Sequence, residues 1–152
     1  MSVEILNDVR QTFGPVDSIA NLAGHVATFG VKRQVVVPVR FDDLPSHLTG
    51  DVTGAQIPSN AIITSLVVTP ANTAFAGGTS YSVELVDDEG NTEATLEAAI
   101  TLAEMNSGLV ATLADTTVGT GGPVYAQMTA TGTFTAGEGA LVIEYIPQIN
   151  VL

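Results

Sequence analysis

Tyr81, Val83 and Leu85 alternate with Ser82 and Glu84, the two-residue period of a strand with one buried face. The stretch from Ile57 to Leu85 sets this grammar for the chain. Ile57-Pro58-Ser59-Asn60 signals a turn. Residues 61–69 (AIITSLVVT) predict a strand, 70–78 a turn region, and 80–86 a second strand. Upstream, Val35, Val37, Val39 and Phe41 share one face of a strand over 35–41. Pro38 lies on the other face and cannot donate to a ladder, which places this strand at an edge or at a bulge. Downstream, four more strands are expected. Leu109, Ala111 and Leu113 alternate, as do Val124, Ala126, Met128 and Ala130. Residues 131–135 centre on Phe134. Leu141, Ile143 and Tyr145 face one way within 140–146. GTGGP over 119–123 and GEG over 137–139 read as the turns between them.

Two stretches follow another period. Over 93–105 (EATLEAAITLAEM), Leu96 and Ile100 are four apart, as are Ala99 and Ala103. Asn91 or Thr92 stands ready as a cap and Gly108 as a stop, so this is the one helix expected in the body. Val3, Leu6 and Val9 recur every third residue and suggest a short amphipathic helix over 1–11, which needs a partner to be stable. Phe13-Gly14-Pro15 ends it. Residues 17–30 hold no sustained period and two glycines, an irregular arm. The expected organisation is an N-terminal arm over 1–33 and a β-domain over 34–152. The fold class is all-β: an antiparallel β-sandwich, jelly-roll-like, of about eight strands, with one short helix and an extended N-terminal arm.

Composition sharpens this picture. Apolar residues make up 45% and charged residues 13%, which excludes a disordered chain. With five Phe, three Tyr and no Trp, small and β-branched side chains must fill the core. Cysteine is absent, so packing or assembly must supply what disulfides would. No apolar run reaches the ~18 residues of a membrane span, and the first residues carry Glu4 and Asp8 where a signal peptide would be apolar. The expectation is synthesis in a cytoplasm and no membrane partner.

Charge is the most informative bulk property. The formal net charge is −12, and the four basic residues, Arg10, Lys32, Arg33 and Arg40, all lie in the first 40 positions. Residues 41–152 carry 13 acids and no Lys or Arg. Such a body repels phosphate backbones, which argues against nucleic acid. One reading is a solvated acidic surface. The other is polarity: an arm that attaches and an acidic body that faces away.

Candidate chemistry is sparse. His25 and His47 are far apart and lack metal-ligand spacing. Asp87-Asp88-Glu89-Gly90-Asn91 offers clustered oxygens for calcium but lacks the alternating spacing and the distal Glu, so a polar turn is expected. The glycines at 119–122 are followed by no Lys-Ser/Thr pair, and no G-x-S-x-G elbow occurs. The expectation is no enzyme, no cofactor, no metal and no catalytic residue. Arg10, Phe13, Lys32 and Arg33 stand out as docking contacts, with local ion pairing to Glu4, Asp8 or Asp17 as the alternative.

Four segments carry a resemblance. Phe41-Asp42-Asp43-Leu44-Pro45, then Ile57-Pro58-Ser59-Asn60-Ala61-Ile62-Ile63, then Phe75-Ala76-Gly77-Gly78, and Thr135-Ala136-Gly137 leading into Leu141-Val142-Ile143-Glu144-Tyr145-Ile146 occur in an order similar to small virion proteins of tailed bacteriophages. Over about 34–147 the chain resembles jelly-roll decoration, or cement, proteins of the phage head. The resemblance implies a homotrimer on the outside of the virion, at threefold or quasi-threefold positions. It implies binding to the major capsid protein that clamps the shell against internal pressure, without catalysis. A head-fibre base, a tail component or a carbohydrate-binding β-sandwich module are the other readings of the same features.

Overall fold

In a computed structural model of the chain, residues 3–5, 10–12, 32–47, 56–119 and 121–148 are described, the first two segments by their backbone. The chain divides into two compact units, Met1–Arg33 and Gln34–Leu152.

In the first unit, β1 (Val3–Ile5) and β2 (Arg10–Thr12) pair antiparallel, with Val3 opposite Thr12 and Ile5 opposite Arg10. The helix expected over 1–11 is therefore corrected to a strand pair. A single short helix has an unfavourable nucleus, and the β-branched Val3, Ile5 and Thr12 suit extended backbone. The arm expected over 17–30 lies outside the described residues.

The second unit is a sandwich of two sheets. Its strands are β3 (Arg33–Arg40), β4 (Gln56–Ile57), β5 (Ile62–Val68), β6 (Thr73–Gly77), β7 (Ser80–Val86), β8 (Thr92–Thr101), β9 (Leu109–Val110), β10 (Val124–Thr131) and β11 (Phe134–Ile146). One sheet runs β3-β11-β5-β9, with β6 as a side branch on β11; the other runs β4-β10-β7-β8. With β6 set aside, the eight strands numbered along the chain take the orders 1-8-3-6 and 2-7-4-5. That is a jelly roll, as the alternation and turns lead one to expect. Inward residues of both sheets, among them Val37, Leu66, Leu85, Leu96, Leu141 and Ile143, form one apolar core with no buried charged or polar residue among those described.

Chain segments close the flanks between the sheets. On one side the link after β3 reaches the second sheet, where Met128 N donates to Pro45 O. On the other, Ala111 N donates to Leu66 O on β5. The chain then crosses to β8, where Ala114 N and Asp115 N donate to Leu96 O and Thr95 O. It returns to β5, where Thr116 O accepts from Ile63 N. Alternating residues at 109–113 thus predict a longer strand than the two-residue β9, because this segment pairs first with one sheet and then with the other.

Four further expectations are corrected. Residues 92–101 are a strand, and the helix, α1, is confined to Leu102–Ser107. The turn region at 70–78 contains β6, and GEG at 137–139 lies inside β11; the turn stands at Gly132, where φ is 87°. Phe41 lies in a turn just past β3 and is partly exposed, out of line with the buried Val35, Val37 and Val39. β3 is an edge strand, in keeping with Pro38.

Candidate functional site

The body presents two unlike outer surfaces. On β7 the inward Tyr81, Val83 and Leu85 leave Ser82 and Glu84 outward. Across the ladder Glu84 lies between Gln127 of β10 and Thr95 of β8, and Ser82 lies beside Thr129. Thr92 Oγ1 donates to Glu84 Oε2 at 3.3 Å. This sheet face is polar and acidic, with no Lys or Arg anywhere in its strands.

The acidic character peaks at the β7–β8 turn. Asp87, Asp88, Glu89 and Glu93, with Gly121, Gly122 and Pro123, line an open hollow of about 250 Å³. Asp87 organises the turn itself. Its Oδ1 accepts from Glu89 N at 2.9 Å and Asn91 N at 2.8 Å, and its Oδ2 from Asn91 Nδ2 at 2.9 Å. These bonds, the Asn91 amide foremost, hold the Asp87 carboxyl below the usual carboxylate range. Gly90 completes the turn with φ at 91°. Both Asp87 oxygens are engaged within the loop, the arrangement of a polar turn.

Three of the four cations stand at the β3 edge of the first sheet. Arg33 and Arg40 begin and end β3 and Lys32 precedes it, all exposed. Arg40 Nε lies 3.4 Å from Asp42 Oδ1 and 3.7 Å from Glu138 Oε1. Of the four predicted docking residues, Lys32 and Arg33 are therefore adjacent at the start of β3, and Arg10 begins β2. Phe13 lies outside the described residues, as does His25. His47 Nδ1 stands 3.3 Å from Gln127 Oε1, a part-buried contact, and among the described residues no group of three His, Asp or Glu is placed to hold a metal ion.

The tyrosines are engaged in packing. Tyr81 and Tyr145 are buried, while Tyr125 is half-buried and its hydroxyl accepts from Gln56 Nε2 at 3.0 Å. Sugar-binding faces rely on exposed aromatic platforms, and no tyrosine of this chain supplies one.

The sequence reading missed Asn106. From α1 its Oδ1 accepts from Phe75 N at 2.6 Å and its Nδ2 donates to Phe75 O at 3.1 Å, taking the place of a neighbouring strand along β6. Only the tertiary fold brings these residues together. Comparison with known protein families, curated proteins and solved structures gives no match.

Proposed function

We propose that this chain is a structural virion protein that binds the outside of a phage capsid and stabilises the head, a decoration or cement protein that works by attachment and not by chemistry. The observation that carries the reading is the segregation of charge. Every Lys and Arg lies at or before the end of β3, while the opposite sheet and its β7–β8 end hold Glu84, Asp87, Asp88, Glu89, Glu93 and Glu97 with no Lys or Arg. A body built this way suits a particle whose inner side attaches and whose outer side meets water. The jelly-roll strand order and the segments similar to phage head proteins support the same reading.

The mechanism follows from many weak contacts on one shell. Each copy held at one point meets its next contact at high effective concentration, so modest sites add to firm attachment. Arg10, Phe13, Lys32 and Arg33 are proposed contacts on the major capsid protein, and a homotrimer is the proposed assembly.

The test is co-sedimentation with heads assembled from the major capsid protein of the same genome, before and after expansion. The full chain is expected to pellet with expanded heads, and a full-length variant with Arg10, Lys32 and Arg33 changed to Glu to stay in solution. Failure of the full chain to pellet with either form overturns the reading. Light scattering of the free protein checks the trimer, and a monomer across the micromolar range counts against it.

A further inference from the structure

The outer face of the β3-β11-β5-β9 sheet carries an apolar row that the charge pattern does not reveal. Val142 of β11 is opposite Val67 of β5, and Val67 is opposite Val110 of β9. Three contacts fix the β3 register against β11: Gln34 with Glu144, Arg40 with Glu138, and Phe41 N with Gly137 O. That register sets Val36 beside Val142. Four valines, one from each strand, thus cross the whole sheet on its outer side. The two end members are the most open: Val36 is 61% exposed and Val110 72%. Ile62, opposite Ile146, adds a further apolar pair, and Ile62 is 50% exposed. Scattered apolar side chains are normal on a protein surface, but a continuous row across four strands marks an interaction face.

We infer that this sheet face seats on the outer protein surface of the shell, around an apolar centre, with the acidic β4-β10-β7-β8 sheet turned outward. The inference rests on the decoration reading and names the part of the body that makes the attachment. Two observations choose this occupant. First, this sheet carries the cations of the body: Arg33 and Arg40 begin and end β3, with Arg40 beside Asp42 and Glu138, whereas the strands of the other sheet hold no Lys or Arg. An acidic molecule can approach a large protein surface through this face with the least repulsion. Second, the area is small. The strands β3, β11, β5 and β9 have 8, 13, 7 and 2 residues, and at about 3.3 Å per residue and about 4.8 Å spacing they give a flat area on the order of 500 Å². A stable pair of free molecules needs roughly 800 Å² on each partner, so a second copy is a poor match. A lattice that holds many copies and adds further contacts makes a patch of this size sufficient.

The experiment measures binding of the full chain to expanded shells for wild type, Val36→Lys, Val110→Lys and the opposite-face control Glu84→Gln, with melting temperature and light scattering of each. Both valines lie on edge strands, where a lysine meets water in the free protein. Expected are unchanged melting temperatures, shell affinity lowered about tenfold or more in each Lys variant, and no change in Glu84→Gln. Wild-type binding that both Lys variants retain overturns this inference and leaves the decoration reading standing. No binding by wild type overturns both. A melting temperature lowered by more than about 5 °C in the Lys variants means that the chain itself covers the row, and overturns the inference. So does self-association of wild type that both Lys variants abolish, which assigns the face to a second copy.

Discussion

Tyr81 lies at the centre of the core. Its ring stacks on Phe134 at 4.1 Å between centroids and meets the edge of Phe75 at 5.7 Å, yet its hydroxyl, fully buried, has no hydrogen-bond partner among the described residues. Burial of an unpaired phenol costs stability, and it raises the Tyr81 pKa to about 12. Tyr81→Phe is therefore expected to match or exceed wild-type stability at neutral pH, by up to about 1 kcal/mol in urea unfolding. The sign of the pH effect follows from the raised value. The folded state holds the phenol proton more tightly than the unfolded chain, whose tyrosine titrates near 10. Wild type keeps its full stability below about pH 10 and loses it as the pH rises towards 12. Tyr81→Phe is expected to lack that part of the alkaline loss, so a slope between pH 10 and 12 equal to wild type contradicts the buried, unpaired hydroxyl. Gly137 bears on the same cluster: a Cβ there would enter the Phe75 ring, at a φ of 139° that side chains rarely adopt. Gly137→Ala should cost about 2 kcal/mol or more, read as a lower urea midpoint at constant slope. That Tyr81 points inward was legible in its alternation with Ser82. Its stacking on Phe134, from a distant strand, was not.

The strand–helix conflict at 93–105 shows where local pattern stops informing. Ala94, Leu96 and Ile100 are buried on β8, and the spacing of Leu96 and Ile100 fits two turns of a strand period as well as one turn of a helix. Alanine-rich sequence favours the helix, but the long ladder with β7 overrides it. Register shifts along that ladder spoil the simple alternation, and Glu97 Oε1 accepts from the freed Ala98 N at 3.0 Å. The helix begins only where Thr101 and Glu104 form a capping box. Its Asn106 then serves the edge of β6 through both polar atoms of its side chain. Asn106→Ala leaves the Phe75 N–H and C=O without these partners in a part-buried place. The expected loss is about 2 kcal/mol in urea unfolding, and hydrogen exchange should quicken at Phe75 before it does on β7. A loss below about 0.5 kcal/mol would show that water replaces the amide at little cost. β3 was easier to read, because Pro38 and the flanking Arg33 and Arg40 are what an edge strand carries to discourage further pairing.

At the scale of the whole molecule, sandwich class was legible because inward and outward residues alternate on most strands. A jelly-roll arrangement was expected, but the individual pairings were not legible, since pairs such as β3 with β11 join opposite ends of the body and leave no local trace. Charge polarity was legible directly, and its energetic consequence can be tested without any partner. Twelve carboxylates lie among the described residues after Arg40, none of them buried, on a stretch of chain without a Lys or Arg. Folding brings these like charges closer than the unfolded chain holds them, and most sharply so at Asp87, Asp88, Glu89 and Glu93 around one hollow. Repulsion of this kind is screened once the Debye length falls below the spacing of the charges. Raising NaCl from about 20 mM to about 300 mM is therefore expected to raise the melting temperature by a few degrees. Neutralising the exposed pair with Asp88→Asn and Glu89→Gln should raise it at low salt, and the gain should shrink as salt is added. These two residues are the right probes because Asp87 is tied into the turn by Asn91, so changing it would confound repulsion with lost hydrogen bonds. A melting temperature that falls with salt would mean that attraction to cations outweighs repulsion among the acids. That outcome would remove the electrostatic asymmetry on which the proposed attachment through the opposite sheet depends.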